Sequence, residues 1–76
     1  MDRSILSERV SRLLRSGELP TIVPERSFGG PGSGQRCAVC RARIAESDLE
    51  VEVGDHFVLH PGCYLIWVTE VQRLAA

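Results

Sequence analysis

The sequence contains no lysine, no asparagine and only three cysteines in 76 residues. All nine basic residues are therefore arginine, and because AT-rich codons encode lysine and asparagine, this composition indicates a GC-rich, bacterial genome. An odd number of cysteines excludes a fully paired disulfide scaffold. A chain this short hides only ~60% of its unfolded surface, so we expect a bound metal, rather than disulfides, to stabilise its core.

Long apolar runs are also missing. No segment approaches the ~20 apolar residues of a membrane-spanning helix, and the N-terminus is charged and amphipathic, unlike a signal peptide. We therefore expect a cytoplasmic protein that does not bind membranes, in a compartment where thiols stay reduced. A net charge of −1 gives the chain no general attraction to nucleic acid.

Residues 1–26 are interpreted as an N-terminal helical arm. Four apolar residues recur at helical spacing over positions 4–16, followed by a glycine that is typical of a helix end: Leu6, Val10, Leu13, Leu14 and then Gly17. Two interpretations stay open. The segment is either an amphipathic helix with a solvated arginine face or a helix that binds a partner or dimerises.

Residues 27–35 are rich in glycine, serine and proline, which predicts a flexible linker between this arm and a compact domain at 36–76. A phosphate-binding loop is not expected there, because no Gly-Lys-Ser/Thr follows the glycines.

The compact domain contains a predicted hairpin. Residues 49–53 alternate apolar and acidic side chains, Gly54-Asp55 is typical of a two-residue turn, and 56–59 form the return strand. This turn predicts that Val53 pairs with His56 and Val51 with Val58. Phe57 and Leu59 would then share a face with the two glutamates of the first strand, Glu50 and Glu52.

A second helix is predicted from Pro61, since proline suits the first position of a helix. Its apolar residues recur at helical spacing as far as the C-terminus: Tyr64, Trp67, Val68, Val71 and Leu74. Polar side chains, Glu70 among them, occupy the other side.

All three cysteines and one histidine fall into two pairs with the pattern C-x2-C-x19-H-x2-C: Cys37, Cys40, His60 and Cys63. Three cysteines and a histidine are a standard closed ligand set for one structural Zn2+, with no open position for catalysis. The same closed set predicts no enzyme activity, no catalytic residues and no small-molecule substrate. Three arginines flank the first pair and are candidates to offset the charge of the thiolates: Arg36, Arg41 and Arg43.

Two other assignments compete with this ligand set. A redox-active Cys37-x2-Cys40 pair with a separately buried Cys63 leaves the spacing between His60 and Cys63 unexplained. His56 is a rival ligand, because it precedes His60 by four residues and H-x3-H spacing also occurs in zinc sites.

A knuckle, a hairpin and a helix whose start carries the last two ligands resemble the treble-clef arrangement. More narrowly, Cys37-x2-Cys40-x3-Ile44 and His60-x2-Cys63-Tyr64 resemble one zinc module of a LIM domain, and the chain is similar in type to small single-finger bacterial proteins. The resemblance implies a single-zinc fold with these four ligands. A second zinc module is missing, Leu59 replaces the usual aromatic residue, and Arg41 stands where knuckles often have glycine.

The sequence therefore predicts a small α+β zinc finger preceded by an amphipathic helix. Its expected function is a protein-interaction module, an adaptor or regulator that binds a protein partner or a second copy of itself. The expected contacts are the N-terminal helix and exposed apolar residues such as Phe57, Leu59 or Trp67. The alternatives are a nucleic-acid-binding finger that regulates transcription and a redox or zinc-responsive switch.

Overall fold

A computed structural model of the chain describes residues 2–24, 27–53 and 57–75. In chain order, these residues form helix α1, strands β1, β2 and β3, and helix α2, with the bounds Arg3–Ser16, Ser27–Pro31, Leu49–Val53, Phe57–Leu59 and Pro61–Ala75. The predicted small α+β fold is confirmed at this level, and the strands form one antiparallel sheet in the order β1-β2-β3. Within the described ranges, neither helix is long and apolar enough to cross a membrane.

Helix α1 is capped at both ends, and its C-terminal glycine is the one that the sequence predicts. The side chain of Asp2 accepts a hydrogen bond from the Ser4 N–H and so satisfies one of the free donors of the first turn. Gly17 ends the helix in the left-handed region at φ +82°, where glycine bears no steric cost. The predicted helix over 4–16 is therefore confirmed.

The apolar face of α1 packs against α2, and Val10, Leu13 and Leu14 are buried there. Burial of this kind contributes roughly 1.5–3 kcal/mol per side chain. The chain itself therefore covers the apolar stripe, as the interpretation of an amphipathic helix expects, and binding of a partner by α1 stays a prediction. A hydrogen bond also joins the loop after α1 to α2: the Trp67 indole N–H donates to the Pro20 carbonyl at 3.0 Å.

Strand β1 lies inside the segment predicted to be a flexible linker, so that prediction is wrong for Ser27–Pro31. The strand pairs with β2 over its whole length, from Ser27 opposite Val53 to Pro31 opposite Leu49. Backbone hydrogen bonds make this pairing, and a composition rich in glycine and proline does not predict it. The division of the chain into an arm, a linker and a finger domain stays a prediction.

The register of the hairpin between β2 and β3 differs from the prediction by one residue. Val51 lies opposite Leu59 and Val53 lies opposite Phe57, whereas the sequence predicted Val51 opposite Val58. The predicted turn and its Val53–His56 pair involve residues 54–56, which lie outside the described residues. Because a shift of one residue moves every side chain to the other face, Phe57 and Leu59 share a face with the valines of β2 instead of its glutamates.

Packing against α2 explains this register. The rings of Phe57 and Trp67 meet edge to face with centroids 5.8 Å apart, and Leu59 and Trp67 are fully buried. The expectation that Leu59 and Trp67 are exposed is therefore wrong, and Phe57 is half-buried. The predicted register would have turned Phe57 and Leu59 away from this core.

Helix α2 is buried on more of its circumference than its predicted stripe allows, because α1 and the sheet both pack on it. Trp67 and Val71 of the predicted apolar stripe are buried, but Leu74 is 57% exposed. Ile66 and Glu70 are buried instead. Glu70, predicted on the polar side, is only 6% exposed, and its carboxylate lies 3.7 Å from the guanidinium of Arg73.

Candidate metal centre

The structure brings the four predicted ligands into one cluster. One ligand atom from each of Cys37, Cys40, His60 and Cys63 lies within 4.8 Å of all the others, and His60 Nδ1 is 3.3 Å from Cys40 Sγ. A tetrahedral ion with thiolate bonds of about 2.3 Å holds its ligand atoms roughly 3.8 Å apart. The spread of this cluster, and its set of three thiols and one imidazole, therefore fit one metal ion.

The first ligand pair lies in a tight turn. The Cys37 N–H donates to the Ala42 carbonyl at 2.9 Å, and the Arg41 N–H donates to the Cys37 carbonyl at 3.0 Å. Arg41 adopts a left-handed conformation with φ +66°, which costs a residue with a side chain roughly 1–2 kcal/mol. This cost explains why glycine is the expected residue there. An isolated bridge between Arg36 and Arg43 closes the base of the turn.

The second ligand pair lies where β3 ends and α2 begins. His60 follows β3, and Cys63 lies in the first turn of α2, where the helix dipole stabilises a thiolate. The Tyr64 N–H donates to the His60 carbonyl at 2.9 Å and so fixes the angle between strand and helix. Proline has no N–H to leave unpaired, so Pro61 suits the first position of the helix.

Backbone hydrogen bonds join the two halves of the site. The Ala38 N–H donates to the Val58 carbonyl at 3.0 Å, which places the turn that holds Cys37 and Cys40 against β3. The N–H groups of Val39 and His60 point at Cys37 Sγ from 3.4 and 3.5 Å. In the described residues, the flanking arginines make no hydrogen bond to this sulfur.

The thiols differ in how readily they ionise. A hydrogen bond from the Cys63 thiol, opposed by burial, lowers the pKa of Cys37 to about 4, and backbone N–H groups of Cys40, His60 and Val39 lower it further. The pKa of Cys63 is raised by its hydrogen bond to Cys37, by burial and by the charges of Cys37 and Cys40. The cluster thus favours one thiolate and opposes further negative charge unless a cation is present. A divalent cation would supply the positive charge that offsets additional thiolates.

The competing ligand assignments fare differently. Cys63 lies in the same cluster as Cys37 and Cys40, and all three cysteines are free, so Cys63 is not a separately buried thiol. His56 lies outside the described residues. The flanking arginines are exposed, and the Arg36 guanidinium donates to the carbonyl of Arg41 at 3.0 Å, which supports the backbone of the turn.

A cleft of about 300 Å³ lies beside the cluster, between the starts of α1 and α2. Its lining includes Leu6, Leu65 and Arg3 as well as two residues of the cluster, His60 and Cys63. Sequence reasoning missed this cleft, because it exists only where α1 packs on α2. No short-range pattern in the chain indicates that contact.

No protein-family model, curated protein or solved structure matches the chain. The assignment of the site therefore depends on its own chemistry: four Cys and His side chains in one cluster, which can bind one metal ion.

Proposed function

We propose that this chain is a structural zinc module in which Cys37, Cys40, His60 and Cys63 bind one Zn2+. The observation that carries the proposal is the convergence of these four ligand atoms to within 4.8 Å. Three thiolates and an imidazole are a full tetrahedral set for zinc and leave no position for substrate or water. The role proposed for the ion is therefore structural, and the chain is proposed not to be an enzyme.

The order of the elements supports a treble-clef type of finger. A knuckle with the first two ligands is followed by the hairpin β2–β3, and α2 begins between the last two ligands. Bound zinc would join the knuckle to the start of α2. Zinc contributes about 10–16 kcal/mol of apparent binding free energy to finger peptides, more than a core of this size supplies.

We further propose that the module acts by binding protein, in a reducing compartment such as the cytoplasm. Among residues 2–24, 27–53 and 57–75, six large apolar side chains are more than half exposed: Ile5, Ile22, Phe28, Leu49, Leu65 and Leu74. The apolar stripe of α1 is not part of this surface, because α2 covers it. The nucleic-acid and redox-switch alternatives stay predictions, since no feature of the described residues favours either of them over protein binding.

Metal analysis and native mass spectrometry of the full chain, purified under reducing conditions, test the zinc proposal. We expect one zinc ion per chain and, after exchange for Co2+, the visible spectrum of a tetrahedral thiolate site. His60→Ala should lose the ion. His56→Ala is the matched control and should keep it.

Two results would contradict the proposal. The first is a chain that carries no metal. The second is a His60→Ala variant that binds zinc as tightly as the native chain, which would remove His60 from the ligand set.

A further inference from the structure

Strand β1 lies at one edge of the described sheet. Along an edge strand, the backbone N–H and C=O groups of alternate residues point away from the sheet and have no partner. The Gly32 N–H donates to the carbonyl of Asp48, directly opposite, at 2.9 Å. Along an antiparallel ladder, pairs that exchange hydrogen bonds alternate with pairs that do not. The next residues of β1 that bond to β2 are therefore Gly30 and Phe28. The N–H and C=O groups of Ser27 and Gly29 and the C=O of Pro31 therefore point away from β2.

We propose that a second copy of this chain pairs with this edge, β1 against β1, antiparallel about a two-fold axis at Gly29. Each Gly29 N–H would donate to the Gly29 carbonyl of the other copy, and each Ser27 N–H to the Pro31 carbonyl of the other copy. The inference rests on the proposed protein-binding function, for which it names the surface and the partner. It joins two three-stranded sheets into one of six strands.

The side chains of β1 complement one another in this register. Phe28 lies opposite Gly30 of the second copy and on the same face of the sheet, at a position where the two strands do not exchange hydrogen bonds and side chains come closest. Phe28 is 64% exposed, and a Cβ added at Gly30 would meet no atom within 4 Å. An aromatic ring over a glycine of the neighbouring strand is a stabilising cross-strand pair.

Pro31 selects the same register. Proline lacks an N–H and normally protects an edge strand from further pairing. In the proposed register, only the carbonyl of Pro31 takes part in pairing, as an acceptor. The N–H that proline lacks would be needed only at the two ends of the new ladder. The strand Ser27–Pro31 carries no charged side chain, so two copies brought together here do not repel each other.

Amide hydrogen exchange on the zinc-loaded full chain, read by NMR at several protein concentrations, tests this pairing. The N–H groups of Phe28 and Gly30 bond to β2 and should be protected at every concentration. Those of Ser27 and Gly29 should become protected only as the dimer forms, which sedimentation equilibrium measures on the same samples. This alternation along one strand is specific to pairing through the outer edge of β1.

Substitution supplies the second measurement. Phe28→Lys should weaken self-association about tenfold or more, because both copies lose an aromatic cross-strand contact. Gln72→Lys is the matched control: Gln72 is exposed and lies on α2, so its change should leave the dimerisation constant unaltered.

Two outcomes would overturn the inference. A chain that carries one zinc ion and stays monomeric up to about millimolar concentration leaves the structural zinc proposal intact but removes the dimer. A dimer in which the Ser27 and Gly29 amides exchange freely has its interface elsewhere. Failure of the zinc proposal itself is a separate result, namely a chain without metal.

Discussion

Replacing Gly32 with alanine should destabilise the fold strongly, although the residues around it have the composition of a flexible linker. A Cβ at this position would lie 1.9 Å from the carbonyl oxygen of Ala45 and 2.8 Å from that of Ile44. Both atoms belong to the backbone, so no side-chain rotation can relieve the contact. The two chain segments would have to separate.

The cost follows from what holds these segments together. The Gly32 N–H donates to Asp48 and the Gly34 N–H to Ile44, both at 2.9 Å to the carbonyl oxygens. Each lost hydrogen bond costs about 0.5–1.5 kcal/mol, and the strain of an overpacked contact costs about 1–3 kcal/mol. We therefore predict a destabilisation of about 2–6 kcal/mol, a large part of the 5–15 kcal/mol that is typical of a folded domain.

Urea unfolding at fixed free zinc measures this loss, with the fluorescence of the fully buried Trp67 as the signal. Gly30→Ala is the matched control, because it makes the same change two residues away with open space around the new Cβ. The control should lie within about 0.5 kcal/mol of the native chain. Equal midpoints for the two variants would refute the packing of Gly32 against residues 44–45 and would restore the linker interpretation.

Three further predictions follow from individual contacts. Leu13→Ala should lower the free energy of unfolding in urea by about 2–5 kcal/mol, since Leu13 is buried between α1 and α2. Ile5→Ala, on the exposed side of the same helix, should lower it by less than about 0.5 kcal/mol. Equal losses would contradict the docking of α1. Arg41→Gly should raise the melting temperature slightly, because relief at φ +66° outweighs the greater freedom of glycine in the unfolded chain. Zinc affinity, measured by chelator competition, should fall as the pH is lowered, since Cys63 has a raised pKa and must lose its proton to bind the ion; an affinity independent of pH would contradict this.

The candidate site was predictable because its information is local. Each ligand pair is separated by two residues, and only the 19-residue connection between Cys40 and His60 is long. A tight turn or a first helical turn brings such a pair together whatever the rest of the chain does. The helices were predictable for a similar reason, since caps such as Asp2 and Gly17 act within one turn.

The sheet was less predictable because tertiary contacts decide its register. Gly54-Asp55 favours a two-residue turn, yet the observed pairs place Phe57 and Leu59 one position away from that expectation. Burial against Trp67 outweighs the preference of the turn. Strand β1 was missed because glycine and proline have low strand propensity, and the hydrogen bonds of the backbone leave no trace in the sequence.

Removal of zinc should melt α1 as well as the finger, although α1 holds no ligand. Helix α2 supports α1, and in this proposal the start of α2 is fixed by the metal through Cys63. Without the ion, the knuckle and β3 are joined by single hydrogen bonds such as that from Ala38 to Val58, each worth about 0.5–1.5 kcal/mol. The 14 residues of α1 are too few for a stable isolated helix. Circular dichroism after addition of a chelator should therefore lose the signal of both helices, and Cys63→Ser should give the same spectrum. Retention of most of the helical signal would contradict this, because α1 and α2 would then hold each other without the metal.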